Sequence, residues 1–168
     1  MRKINSGFTM VELLIVIVVI GILAAITITA FNGVQQKARD AQRKSDLANI
    51  AKALHRYNIE NGNFAVTGCG NGSGQGWFDY DYDGVGPNKT SRQCLSDGGY
   101  IPAGIVDPSG ARTCGGATCH AYIKWTCGLG TFLYANLETL PQNTTTSDGT
   151  CEPDNDTTAG VNYVLQVD

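Results

Sequence analysis

The run Leu13–Phe31, LLIVIVVIGILAAITITAF, constrains this chain more than any other feature. It is 19 residues long, its only polar members are Thr27 and Thr29, and no charge occurs from residue 13 to residue 36. An apolar stretch of about 18 residues or more is long enough to cross hydrocarbon as a helix. A chain that carries it is not a plain soluble globular domain. Arg2 and Lys3 precede the run. The positive-inside bias then puts the N-terminus in the cytoplasm and everything after the run outside. A secretory signal peptide shares the basic start and small residues such as Ala24 and Ala25. This run exceeds the roughly 7–15 residues of a signal core, however, and flows without a proline into a helical pattern. Glu12 stands at its edge, and a carboxylate beside hydrocarbon normally marks a function.

The segment Gly7-Phe8-Thr9-Met10-Val11-Glu12-Leu13-Leu14-Ile15-Val16 resembles the N-terminal signature of type IV pilins and pseudopilins. The resemblance implies a leader of residues 1–7, cut after Gly7 by a prepilin peptidase on the cytoplasmic side. Phe8 becomes the mature N-terminus and is N-methylated, and Glu12 is the assembly residue. The implied partners are the peptidase, other pilin subunits in a homopolymer, and a pilus or secretion assembly platform in the membrane. The residues supply a physical reason. After cleavage the Phe8 ammonium and the Glu12 carboxylate lie four residues apart on one helix. Pairing Glu12 of one subunit with the Phe8 ammonium of the next neutralises two costly charges and fixes axial register. The alternative is that Glu12 snorkels to the interface or pairs within its own chain.

Helical periodicity continues from Val34 to Asn61. Leu47, Ile50, Leu54 and Tyr57 form one apolar stripe, and Val34, Ala38, Ala41 and Ala48 a second stripe of small residues. Asn61-Gly62-Asn63 is a helix stop. A helix from Phe8 to Asn61 is about 80 Å long at roughly 1.5 Å per residue. The expected organisation is a leader (1–7), a long helix (8–61) and a head (62–168). Within the helix, 8–31 is membrane-embedded or filament core and 34–61 is amphipathic. Gly21, Thr27–Thr29 and Asn32-Gly33 weaken the helix locally. Many pilins carry a proline where Thr29 stands and their helix unwinds nearby on assembly; this chain lacks that proline. Residues 37–60 carry a net charge of +3 and residues 62–168 a net of −7. That split fits attraction between a basic helix and a neighbouring acidic head, and equally a helix face attracted to anionic lipid.

The expected fold class is α+β: a long N-terminal helix, then a small antiparallel sheet stapled by disulfides. Sixteen glycines between residues 62 and 130 argue for short strands and loops. Residues 120–127 (HAYIKWTC) alternate, with Ala121, Ile123, Trp125 and Cys127 on one face and Tyr122, Lys124 and Thr126 on the other. Residues 131–137 and 162–167 are the other strand candidates, and three or four strands packed on the Leu47 stripe are the simplest arrangement. Six cysteines, Cys69, Cys94, Cys114, Cys119, Cys127 and Cys151, suggest three disulfides, with fifteen pairings open. The preferred set is Cys69–Cys94, Cys114–Cys119 and Cys127–Cys151, the last being like the disulfide-bound region of many pilins. Zinc held by Cys114, Cys119, His120 and Cys127 is the rival. Asp79, Asp81 and Asp83 open like a calcium loop, but Thr90 stands where a bidentate glutamate is expected. Asp148, Glu152, Asp154 and Asp156 form a second acidic group. Solvated loops are the preferred reading of both, so no cofactor is expected and calcium is the alternative. Trp77, Phe78, Tyr80 and Tyr82 either form an adhesive surface or cover a small core.

The first functional reading is a type IV pilin, polymerised into a surface pilus, for which the resemblance implies adhesion, twitching motility and DNA uptake. The second is a pseudopilin of a type II secretion system. The third, of another class, is a membrane-tethered disulfide-rich binding module. The precursor is expected in the cytoplasmic membrane as a single-pass protein with its head outside, and later in an extracellular pilus. No nucleophile–base motif occurs and there are only two histidines, so an enzyme is not expected. A net charge of −3 argues against a nucleic-acid-coating protein and leaves direct nucleic-acid binding open.

Overall fold

The computed structural model describes residues 9–70, 74–78, 89–110, 121–141 and 160–168. The element order is α1 (Met10–Asn61), β1 (Gly76–Trp77), α2 (Ser91–Asp97), β2 (Ile123–Cys127), β3 (Gly130–Ala135) and β4 (Tyr163–Gln166). The chain divides into two units, residues 1–37 and 38–168.

The first unit contains the N-terminal part of α1. From Val11 to Val34 its large apolar side chains are each at least 48% exposed, so none is buried within the chain. Leu, Ile, Val and Ala with no proline keep the helix continuous through Gly21 and Gly33. Thr27 turns its hydroxyl back to the Leu23 carbonyl at 2.7 Å, which satisfies that group inside an apolar segment. The helix is long and apolar enough to cross a membrane.

In the second unit α1 ends where the Asn-Gly-Asn stop places it. Gly62 takes φ +78° and donates its amide to the Asn58 carbonyl at 2.7 Å, a left-handed helix end that favours glycine. The expected apolar stripe is the core face: Leu47, Ile50 and Leu54 are fully buried, and Tyr57 packs beside them. The stripe of small residues points the other way. Val34, Ala38 and Ala41 are exposed and Ala48 is half-buried. That stripe is not a second packing face of the folded chain.

The sheet runs β1-β2-β3-β4 with all neighbours antiparallel. β2 and β3 form a hairpin in which Cys127 faces Gly130 and Ile123 faces Tyr134. The predicted alternation holds. Tyr122, Leu133 and Ala135 join the Leu47–Ile50–Leu54 core, while Ile123, Phe132, Tyr134 and Val161 form a second cluster with Trp125 and Cys127. Two short elements escape the sequence reading. β1 is only two residues long, and α2 only seven. α2 is started by Thr90 and Gln93 in a reciprocal capping box, with Leu95 driven into the core. The loop after α2 adds Ile101 and Ile105 to the same core.

Cys69 and Cys94 form a disulfide with Cα atoms 6.4 Å apart, as expected. It ties the loop after α1 to α2.

Candidate assembly site and a buried charge cluster

Glu12 sits in the first turn of α1. Its Oε2 accepts the Thr9 amide at 2.8 Å and the Thr9 hydroxyl at 2.7 Å. The Glu12 amide donates to Thr9 Oγ1 at 3.3 Å. This pair satisfies amides that a helix start leaves open. In the single chain, therefore, Glu12 pairs within its own chain. Gly7 and Phe8 lie outside the described residues. So do Asp79, Asp81 and Asp83, the group Asp148, Glu152, Asp154 and Asp156, and Cys114, Cys119 and Cys151. Cys127 is itself disulfide-bonded. A zinc site that uses Cys127 is therefore excluded, because a disulfide sulfur has no thiolate to offer.

The most elaborate polar arrangement lies further along α1. Arg43 is fully buried. Its Nε and Nη2 donate to the two carboxylate oxygens of Asp107 at 2.7 and 3.1 Å. Its Nη1 donates to Asp40 at 2.7 Å and to Glu138 at 2.8 Å. Arg39 grips Glu138 from the other side through Nε and Nη2. Asp40 also receives the Glu138 and Thr139 amides, each at 2.9 Å, and the Thr139 hydroxyl at 2.7 Å. Asp107 receives the Ser109 amide and hydroxyl. Two guanidinium groups and three carboxylates thus hold two loops, 107–109 and 138–139, against one face of α1.

The energetics follow from burial. Burial alone would lower the Arg43 pKa, but its hydrogen bonds to Asp107 and Glu138 outweigh that and raise it. Arg39 and Arg43 hold Glu138 down to about 2. Burial opposes ionisation of Asp40, yet the hydroxyl and amides of residues 138–139 keep its pKa below the ordinary value. Next along the helix, Asp46 accepts the Tyr122 hydroxyl at 2.8 Å. Burial raises Asp46, outweighing that hydrogen bond, and burial followed by the Asp46 contact raises Tyr122. Lys124, on β2, is also fully buried; its Nζ donates to the Gly74 carbonyl at 2.9 Å. Burial pushes its ammonium down to about 8.

This cluster changes the reading of the basic helix. Arg43 is internal, so its charge is not presented to a neighbour or to lipid, and the half-buried Arg39 is already paired with Glu138. Lys44 lies over the Tyr163 ring at 5.3 Å and Arg56 over Tyr100 at 5.6 Å. A signal for the cluster does exist in the sequence: Asp40 and Arg43 continue the 3-4 spacing of Leu47, Ile50, Leu54 and Tyr57 backwards along the same face. No sequence signal names Asp107 or Glu138 as their partners.

Comparison with known proteins bears on the N-terminus and on the chain at large. Residues 2–28 match the prokaryotic N-terminal methylation motif. Over 110 residues the chain is 33% identical to the type II secretion system core protein G of Vibrio cholerae, covering 66% of this chain and 68% of that protein. The chain belongs to the type IV pilin family, as a homologue of the pseudopilin core protein G. It is also 37% identical over 60 residues to core protein G of Pseudomonas aeruginosa, covering 36% of this chain and 42% of that one. With core protein G of Aeromonas hydrophila it shares 33% over 66 residues, covering 39% and 46% of the two chains. The chain thus spans less than half the length of these last two curated relatives. No solved structure matches it. These pseudopilin relatives reverse the order of the first two functional readings: the secretion pseudopilin now stands ahead of the surface pilus.

Proposed function

We propose that the chain is a pseudopilin subunit of a type II secretion system, a non-enzymatic protein that polymerises into a short pilus-like assembly. The observation that carries this is the 33% identity to a core protein G across 68% of that protein's length. The methylation motif over residues 2–28 adds the processing step. In this reading a prepilin peptidase cuts after Gly7 and Phe8 is methylated. The apolar half of α1 anchors the single-pass precursor, with the N-terminus in the cytoplasm and the head outside. Copies then assemble through their helices on a membrane platform, and Glu12 sets register against the Phe8 ammonium of a neighbour. The buried charge cluster serves this function by fixing the head on the helix that assembles.

Deleting the gene and assaying export of folded proteins tests the proposal. Loss of export, restored by the wild-type gene, is the expected result. Normal export, with loss of a long fibre sheared from the cell surface, overturns it in favour of the surface pilus. Mass spectrometry of the membrane-extracted protein should find a methylated Phe8 at the mature N-terminus.

A further inference from the structure

Lys124 is a buried cation whose acceptor is held in place by a disulfide loop. Residue 124 lies on β2 opposite Gly76 of β1, and its Nζ donates to the carbonyl of Gly74, two residues before that partner. Among the described residues, no carboxylate lies within ion-pair distance of Nζ. Asp168 acts on it only at longer range. A buried ammonium without a hydrogen-bond acceptor is strongly unfavourable, so the position of the Gly74 carbonyl matters to the whole sheet.

The backbone that carries this carbonyl is closely held at its described residues. The Gly74 amide donates back to the Cys69 carbonyl at 3.0 Å. Gly74 has φ +70°, and a Cβ there would lie 2.4 Å from the Val66 amide nitrogen, so only glycine fits. The other end of the loop is anchored at Cys69, which is bonded to Cys94 on α2. The Gly70 amide donates to the Lys89 carbonyl at 3.0 Å, next to the Thr90 cap of α2. The segment is thus pinned at Cys69 to α2, at Gly70 to Lys89 before its Thr90 cap, and at Gly74 to β2.

We propose that the Cys69–Cys94 disulfide and Lys124 form one redox-dependent latch, in which oxidation fixes the Gly74 carbonyl and so permits burial of the Lys124 side chain. Forming the bond converts two thiols into one disulfide. Two electrons and two protons pass to a disulfide donor of the thiol–disulfide exchange class, which is reduced to a dithiol. With the thiols reduced, Cys69 loses its covalent tether to α2, and the Gly70–Lys89 hydrogen bond alone holds that side of the Gly74 carbonyl. The carbonyl is then no longer held at Nζ, and the lysine leaves the core for water. Pairing of β1 with β2 at Gly76 and Lys124 weakens with it. The head therefore completes its sheet only after this bond has formed.

The test uses the full chain in detergent and a cycle of Cys69→Ala/Cys94→Ala, Lys124→Met, and the two combined. The first readout is acylation of Lys124 at pH 8, followed by mass spectrometry, with the exposed Lys52 as internal reference. In the wild type Lys124 should react at least tenfold more slowly than Lys52. In the double-alanine chain the two rates should approach each other. The second readout is the thermal midpoint. Lys124→Met should raise the midpoint markedly more in the double-alanine background than in the wild type, because there the ammonium has left for water and methionine, which needs no acceptor, can fill the core position it vacated. If the double-alanine chain does not fold at all, Lys124→Met should restore a cooperative transition. Equal protection of Lys124 in both backgrounds, equal shifts from Lys124→Met, or failure of that substitution to restore folding would each overturn the latch.

Discussion

Arg43 concentrates most of what the head needs from one side chain. It is fully buried and faces three carboxylates on three separate stretches of chain. A buried ion cluster adds little net stability compared with a well-packed apolar equivalent, but removing one partner is costly. Arg43→Met leaves Asp40, Asp107 and Glu138 facing one another, with only Arg39 to balance them. The expected loss is about 3–5 kcal/mol, read as a fall in the denaturant midpoint. Arg43→Lys keeps the charge and loses the two-pronged grip on Asp107, so it should fall between the two. Glu138 predicts the acid limb. Its folded pKa is about 2 against an ordinary 4.5, so it favours folding fully above 4.5 and loses that contribution as pH falls towards 2. Glu138→Gln should therefore be less stable than wild type at pH 6, with the difference shrinking between pH 4.5 and pH 2. A difference constant across that range would mean that the Arg39 and Arg43 contacts do not hold Glu138 ionised. The sequence alone makes little of this legible. Asp40 and Arg43 stand on the core stripe, but charges there read as solvent-facing because their partners lie 64 and 95 residues away from Arg43.

At the scale of elements, periodicity was informative wherever an element was long enough to show it. α1 declares itself through its apolar run, its 3-4 stripe and its glycine stop, and β2 through alternation. β1 and α2 do not, because two and seven residues hold too few periods. The alternation of β2 was legible, but which face meets α1 was not. Tyr122 and Lys124 look like the wet face and are in fact buried, because Asp46 and the Gly74 carbonyl satisfy their polar ends. The two stripes on α1 give a direct test of helix phase. Leu47 is fully buried and Ala41 exposed. Leu47→Ala should cost about 2–5 kcal/mol, whereas Ala41→Ser should stay within about 0.5–1 kcal/mol, mostly from helix propensity. Urea titrations of both variants in detergent check it, and comparable losses would place Ala41 in the core.

For the molecule as a whole, the N-terminal part of α1 is a solvation problem. Its large apolar side chains from Val11 to Val34 are each at least 48% exposed. In the proposed precursor lipid covers them, and in the proposed polymer other copies of the helix do so. Glu12 distinguishes these two settings. In the single chain Thr9 satisfies its carboxylate through hydrogen bonds that need an acceptor and no charge. In a polymer, surrounded by apolar helices, the proposed Phe8 ammonium of a neighbour needs the charge itself. Glu12→Gln therefore separates the roles, because its side-chain oxygen still accepts from Thr9 but cannot neutralise an ammonium. Glu12→Leu removes both. If pairing with the neighbour sets assembly, both variants should be processed normally and should accumulate as membrane-bound monomer, because each leaves a buried ammonium unpaired at every subunit, a loss of about 3–5 kcal/mol. If the local cap is all that matters, Glu12→Gln should assemble like wild type and only Glu12→Leu should fail. Crosslinking the subunits in membranes from cells that carry each variant as their only copy, and comparing ladder length with the amount of processed monomer, decides between them. A full ladder from Glu12→Gln would remove Glu12 from the register mechanism and leave assembly to the packing of the apolar helices.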